Sequence, residues 1–142
     1  MSEAIQLGLS RTKRVIVDRE RTIGFLGEES RVYATPKLLH DVESTCRTLL
    51  LEHADADQDS VGTHVELDHL APTLMGMWAE ITVTVSAVKG NSVSFEFSVR
   101  DILEDTARGR HARFIVNRGR TAERLSSKLE KVRTMEQKEE HR

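Results

Sequence analysis

The chain has 142 residues and a formal net charge of −2. That fits one domain and argues against bulk nucleic-acid binding, which draws on a basic surplus. A single cysteine, Cys46, excludes an internal disulfide and a cysteine-rich zinc site. Apolar residues make up 38% and aromatics only 4%, so the core is aliphatic and modest, and burial at a subunit interface would supplement it.

Residues 1–12 read as a loose lead-in. The opening MSEAIQLGLS has no charged region followed by an apolar run, so no signal peptide is expected. No apolar run approaches the ~20 residues a membrane helix needs. Both observations predict a cytoplasmic protein with no membrane partner. Val15, Ile16 and Val17 form the first predicted strand. Residues 19–31 are charged and carry Gly24 and Gly27, which predicts a loop or broken helix. Residues 32–35 are a brief extended approach.

Thr35-Pro36 opens a helix, with threonine as N-cap and proline at the first helical position. The helix runs to about His53. Leu38, Val42, Cys46, Leu49, Leu50 and His53 fall on one stripe, with Asp41, Thr48 and Glu52 opposite. Glu43 sits at the stripe's edge, where a carboxylate can reach beneath the helix.

After a polar loop at 54–60 the hydrophobic period changes from 3.6 to two. Across 62–69, Val65, Leu67 and His69 share one face, while His64, Glu66 and Asp68 point to water. A histidine is thereby sent into an apolar layer at the end of a strand, where it needs a hydrogen-bond partner. Three more alternating stretches follow. They are residues 81–87, residues 93–99, and a stretch whose apolar face is read as Ala112, Phe114 and Val116, alternating with Arg113 and Asn117. Short turns near 89–92 and 104–106 make neighbouring strands antiparallel. The class is α+β, with the helix covering the apolar face of the sheet. Residues 121–142 read as a charged C-terminal helix or tail. Leu125, Leu129, Val132 and Met135 form a thin stripe there, and the last residues, EQKEEHR, are expected to fray.

An acid on a helix and a histidine on a strand can support hydrolysis. Attack on a carbonyl needs an oxygen nucleophile, a base for its proton, and donors for the developing oxyanion. Pro36 has no N–H, so those donors would come from Leu38 or a partner chain. On pattern alone, plain structural roles stand beside these. Thr35 can be an N-cap, Glu43 a helix-edge acid, His69 a satisfied core histidine, and Gly62 a turn or bulge. His64-x-Glu66-x-x-His69 suggests a metal, but His64 and His69 face opposite sides of a strand. No metal or cofactor is therefore expected.

Three segments carry a resemblance: YATPKLLHDVE (33–43), GTHVELDHLAPTLMG (62–76) and GRHARFIVN (109–117). Together they resemble the hot-dog-fold acyl-CoA thioesterases related to fluoroacetyl-CoA thioesterase. In that family a threonine precedes the central helix, a glutamate follows eight residues later, and a histidine ends a strand after a Gly-Thr pair. Thr35, Glu43 and His69 stand at those places, with Gly62 seven residues before the histidine.

The resemblance covers roughly residues 12 to 120 and implies a hot-dog domain over 13–120. It further implies an acyl-CoA substrate and a homodimer with sites at the subunit interface; whether dimers pair into tetramers is left open. The implied catalytic residues are Thr35, Glu43 and His69. Gly62 is an implied substrate-binding residue, and Arg113 is a candidate substrate-binding residue that, with Arg110, Arg118, Arg120 and Lys128, could meet the phosphates of coenzyme A. Water or Thr35 would attack the thioester and His69 would take the proton. Glu43 would orient His69 or act as nucleophile or base. A non-catalytic acyl-CoA-binding module and a hydratase or dehydratase are the alternatives on the same fold. Residues 27–33, GEESRVY, are charged where the fluoroacetyl enzyme carries a phenylalanine-rich lid. This predicts an open entrance.

Overall fold

The computed structural model describes residues 5–141, so the first four residues of the expected lead-in lie outside the described residues. Strand β1 (Ser10–Ile16) leads through a two-stranded ribbon, β2 (Thr22–Ile23) with β3 (Val32–Tyr33), into helix α1 (Thr35–Leu51). Strands β4 (Gln58–His69), β5 (Trp78–Lys89), β6 (Ser92–Arg100) and β7 (Asp105–Asn117) follow, then helix α2 (Arg118–Glu140). The five long strands form one sheet in the order β1-β5-β6-β7-β4, every pair antiparallel. Among the described residues no helix is long and apolar enough to cross a membrane.

The core follows from two periodicities meeting. Ala79, Ile81, Val83 and Val85 of β5 and Val93, Phe95, Phe97 and Val99 of β6 point to one face and are buried. Leu38, Val42, Cys46, Leu49 and Leu50 of α1 close over them. Each buried Val, Leu, Ile or Phe among them contributes about 1.5–3 kcal/mol on leaving water, so the sheet–helix contact holds the domain together.

Four expectations change. β1 begins at Ser10, earlier than the Val15–Val17 run, because polar residues suit an edge strand. The Ser10 and Thr12 hydroxyls meet those of Thr84 and Thr82 across the strand pair, at 3.3 and 3.0 Å. Asp41 is buried although the helix pattern put it outside. The ribbon covers that side of α1, and Asp41 accepts from Arg21 Nε at 2.8 Å and from the Tyr33 hydroxyl. Burial and the Asp41 carboxylate together push the Tyr33 phenol well above its ordinary value.

The third change concerns β7. Its inward residues are His111, Arg113 and Ile115, not Ala112, Phe114 and Val116; Phe114 is exposed. The register with β6 dictates this. Val93 pairs with Arg113, Phe95 with His111 and Phe97 with Gly109. Residues directly opposite across a ladder share a face, so the apolar face of β6 draws the two polar residues inward.

The fourth concerns the tail. α2 continues as regular helix through Glu140, past the point where fraying was expected, and none of its residues is buried. Asn117 caps it by accepting from the Arg120 N–H at 3.0 Å. The stripe of Leu125, Leu129, Val132 and Met135 is exposed, so it does not pack on its own chain.

Candidate functional site

Thr35 is the first helical residue, not the cap. Ala34 takes the cap position in an extended conformation, and no side chain caps the helix. The Thr35 hydroxyl instead lies 2.7 Å from Nδ1 of His69 at the end of β4. The backbone fixes both partners. The Ala34 N–H donates to the Arg21 carbonyl at 2.9 Å, and the Tyr33 N–H to the Thr73 carbonyl at 2.8 Å. On the other side, the Leu70 N–H donates to the Thr106 carbonyl at 2.7 Å, which anchors the chain just after His69. The Leu38 N–H is spent on the Ala34 carbonyl at 2.9 Å, so it is not a spare oxyanion donor.

The pair opens into a cleft of about 310 Å³ lined by Ile23, Phe25, Tyr33, Leu70 and Pro72. Partial burial lowers the pKa of His69 below its ordinary 6.5. The ring is therefore neutral at pH 7 and can accept a proton. The charged segment 27–33 does not form the whole approach. Glu28 is held at the surface by Arg19 and Arg31, while Ile23 and Phe25, just before the segment, supply an apolar wall.

Glu43 lies elsewhere. Eight residues of helix separate it from Thr35, a rise of about 12 Å, and the structure does not bring it to His69 within one chain. Its carboxylate faces a second cleft, lined also by Gly62, Thr63, His64, Val65 and His111. It has no hydrogen-bond or ion-pair partner among the described residues. A register shift between Gly62 and His64 marks a bulge. A Cβ added at Gly62 would lie 3.3 Å from His111 Cε1, 3.5 Å from Arg113 Nη1 and 3.9 Å from Glu43 Oε2. Glu43, Gly62, His111 and Arg113 thus converge on one spot.

Arg113 is 5% exposed. Its Nε donates to Ser60 Oγ at 2.7 Å and its Nη2 to the Ser60 carbonyl at 2.9 Å. It is buried beside Gly62, behind the residues that line the second cleft, and its guanidinium does not stand among the surface arginines. His111 is the residue that sequence reasoning missed. Its signal was the position opposite Phe95, two residues before Arg113, on a strand assigned the wrong inward face. His64 lies on the outer side, with Nε2 2.9 Å from Glu66 Oε1. Buried Cys46 has its thiol pKa pushed up to about 12 by desolvation, so it holds no thiolate at neutral pH.

The family model of the fluoroacetyl-CoA-specific thioesterases, FlK, matches residues 10–119. The chain belongs to this family. Its fold is the α+β hot-dog fold, a long antiparallel sheet wrapped around a central helix. A curated family relative, the fluoroacetyl-CoA thioesterase of Streptantibioticus cattleyicolor, is 23% identical over 124 residues, which are 82% of this chain and 89% of that protein. A hypothetical protein of Thermus thermophilus described as a thioesterase superfamily member superposes with a TM-score of 0.84 at 24% identity. The match covers 92% of this chain and 98% of that one. A hot-dog-like protein of Thermanaerovibrio acidaminovorans gives 0.79 at 25% identity, covering 86% and 91%. Most of α2 lies beyond the residues that the thioesterase family model matches.

Proposed function

We propose that this thioesterase-family protein hydrolyses an acyl-CoA thioester to the free acid and coenzyme A. We further propose that it works as a cytoplasmic homodimer whose sites combine residues of both chains. The observation that carries the reading is the Thr35–His69 pair, a hydroxyl 2.7 Å from an imidazole nitrogen in a cleft with apolar walls. The curated relative's substrate, fluoroacetyl-CoA, supports the substrate class.

The division of the expected residues into two clusters supports the dimer. Thr35 and His69 occupy one cleft, Glu43 and Gly62 line another, and Arg113 lies beside Gly62. β4 joins them. It is an edge strand of twelve residues, with Val61 and Val65 exposed. A long edge with apolar residues is a template for pairing, and a two-fold dimer interface is self-complementary. Antiparallel pairing of two β4 strands, centred between Val65 and Glu66, sets His69 opposite Gly62 of the partner subunit. Glu43 of the partner subunit then comes to the Thr35–His69 pair.

In this arrangement water, or Thr35 itself, adds to the thioester carbonyl carbon while His69 takes the proton. Glu43 stabilises the imidazolium or directs the water. Collapse of the tetrahedral adduct breaks the C–S bond, and the proton returns to the departing thiolate. Thiols ionise near pH 8.5 unaided, so the leaving group needs little acid assistance. If Thr35 attacks, an acyl-threonine forms and is hydrolysed by water in a second round of the same proton transfers.

The test is release of free thiol from a panel of acyl-CoAs, fluoroacetyl-CoA and acetyl-CoA among them. Turnover of at least one above background is expected. A folded protein that releases no thiol across the panel would refute hydrolysis and leave the binding module.

A further inference from the structure

We propose that His111 is a positioning residue: its neutral ring accepts a hydrogen bond from Arg113 and so fixes the guanidinium beneath Glu43 and Gly62. This rests on the reading of Glu43 as part of the site.

The tautomer follows from the partners. His111 Nδ1 lies 2.8 Å from the His64 carbonyl oxygen. A carbonyl only accepts, so Nδ1 carries the hydrogen. Nε2 then holds a lone pair, and Arg113 Nη1, 3.2 Å away, donates to it. With Nε and Nη2 held by Ser60, the guanidinium is tied on every nitrogen. The ring itself is 2% exposed and stacked on Phe95, with centroids 6.4 Å apart and planes at 23°.

A buried guanidinium is costly unless its donors are matched. Here none of its hydrogen-bond partners is a carboxylate. Neutral acceptors instead hold it where its field reaches Glu43, while the Glu43 carboxylate has no hydrogen-bond partner among the described residues and faces the cleft. A carboxylate bonded directly to Arg113 would have its lone pairs occupied. One held near the cation at a distance keeps its lone pairs available to water or to an imidazolium.

Protonation of His111 would destroy the arrangement, because Nε2–H would then face an N–H of the guanidinium. The charged and titratable groups around the ring are Arg113 on its own strand, Glu43 and Cys46 on α1, and His64 on β4. Burial, the largest influence, lowers the His111 pKa, as do the Arg113 and His64 charges, while the His64 carbonyl hydrogen bond and Glu43 act the other way. The burial that hides the ring also keeps its lone pair free.

The test separates the two bonds of the ring. Asparagine at this position can still donate to the His64 carbonyl but is too short to meet Arg113. Glutamine carries an oxygen about as far as Nε2. For His111→Asn we expect kcat to fall about tenfold, the size of one lost charge-assisted hydrogen bond, with KM nearly unchanged. For His111→Gln we expect kcat to stay near the wild type. A folded His111→Asn variant with wild-type kcat would overturn the proposal, and so would a His111→Gln variant as impaired as His111→Asn. A second measurement needs no variant and no turnover. Nitrogen-15 NMR of the wild-type protein should show Nε2 of His111 unprotonated and coupled through a hydrogen bond to a slowly exchanging Arg113 Nη–H. A protonated Nε2, or a freely rotating guanidinium, would refute the positioning role even in an active enzyme. If the wild type releases no thiol while the coupling is present, the thioesterase reading fails and the His111–Arg113 lock stands.

Discussion

The Thr35 hydroxyl and His69 Nδ1 lie 2.7 Å apart although the residues are 34 positions apart in sequence. The hydroxyl is free to make this contact because the helix is not capped by it. Ala34 occupies the cap position, and Thr35 lies inside the first turn. A threonine that caps its own helix would have its oxygen turned to backbone N–H groups. This one is turned to a base.

Replacing either partner should therefore cost activity more than stability. For Thr35→Ala and His69→Ala the expected fall in kcat/KM is about 10²-fold or more, the scale of a lost acid–base group. Thr35→Ala should leave the melting temperature nearly unchanged, since no cap is removed. The double variant should be little worse than the worse single one, because groups acting as a unit are not additive. Thiol-release kinetics and thermal unfolding on the same samples check all three. Wild-type turnover in a folded His69→Ala would return His69 to a structural role.

The pH profile has a definite sign. Burial lowers the His69 pKa below 6.5, and the neutral ring is the form that accepts a proton. Activity should be on its plateau at pH 7 and fall only as pH drops through a value below 6.5. An acid limb with its midpoint above 6.5 would mean that His69 is stabilised as imidazolium, contrary to its apolar surroundings.

A composite site makes a further demand. His69→Ala and Glu43→Ala homodimers should each be nearly inactive. Mixed and re-equilibrated, half of the dimers are heterodimers, each with one site intact and one doubly damaged. Activity should then return to about a quarter of the wild-type value, as two-fold symmetry requires. If mixing restores nothing although subunits exchange, the site belongs to one chain.

Acid stability provides a fourth measurement. His111 and His69 both have folded-state pKa values below their ordinary 6.5. Below pH 6.5 the unfolded chain takes up protons that the folded one does not, so stability drops as pH falls from there to the folded-state values. Well above 6.5 both rings are neutral in either state, and this contribution vanishes. His111→Asn, with no ring to protonate, should flatten the slope of melting temperature between pH 6.5 and 5. An equally steep slope in the variant would place the sensitivity elsewhere.

Much of this was legible in the chain. The period-two runs of β5 and β6 and the stripe of α1 are strong because each is repeated several times, and they are enough for an antiparallel sheet on a helix. The inward face of β7 is not legible in its own alternation, which is ambiguous with Phe114 and Ile115 adjacent. Only the register against Phe95 and Val93 settles it, and register is a tertiary fact. Asp41 failed for a related reason. Helix periodicity cannot show that Arg21 and Tyr33 will wrap around the helix and neutralise a buried acid. The candidate site was legible only as residue types in order. That Glu43 and His69 occupy different clefts of one chain was not, because spacing along the sequence does not fix how far apart two elements hold their side chains.

The strand order has a consequence for how the molecule is made. β4 is joined to the sheet through β7 alone, and β7 is the last strand in the chain. As the polypeptide leaves the ribosome, β5, β6 and β7 can zip together as successive hairpins of neighbouring sequence. β4 has been waiting since before them, and it docks only after residue 117 has emerged. Pairing β4 with β7 also closes a long loop, from His69 to Ala107, which costs more chain entropy than a hairpin of neighbouring strands. Gly62 and His69 both ride on that late strand, so the site is among the last parts of the protein to exist. Until then β4 exposes both of its edges, and a truncated or stalled chain that ends before β7 would display them indefinitely to other nascent chains.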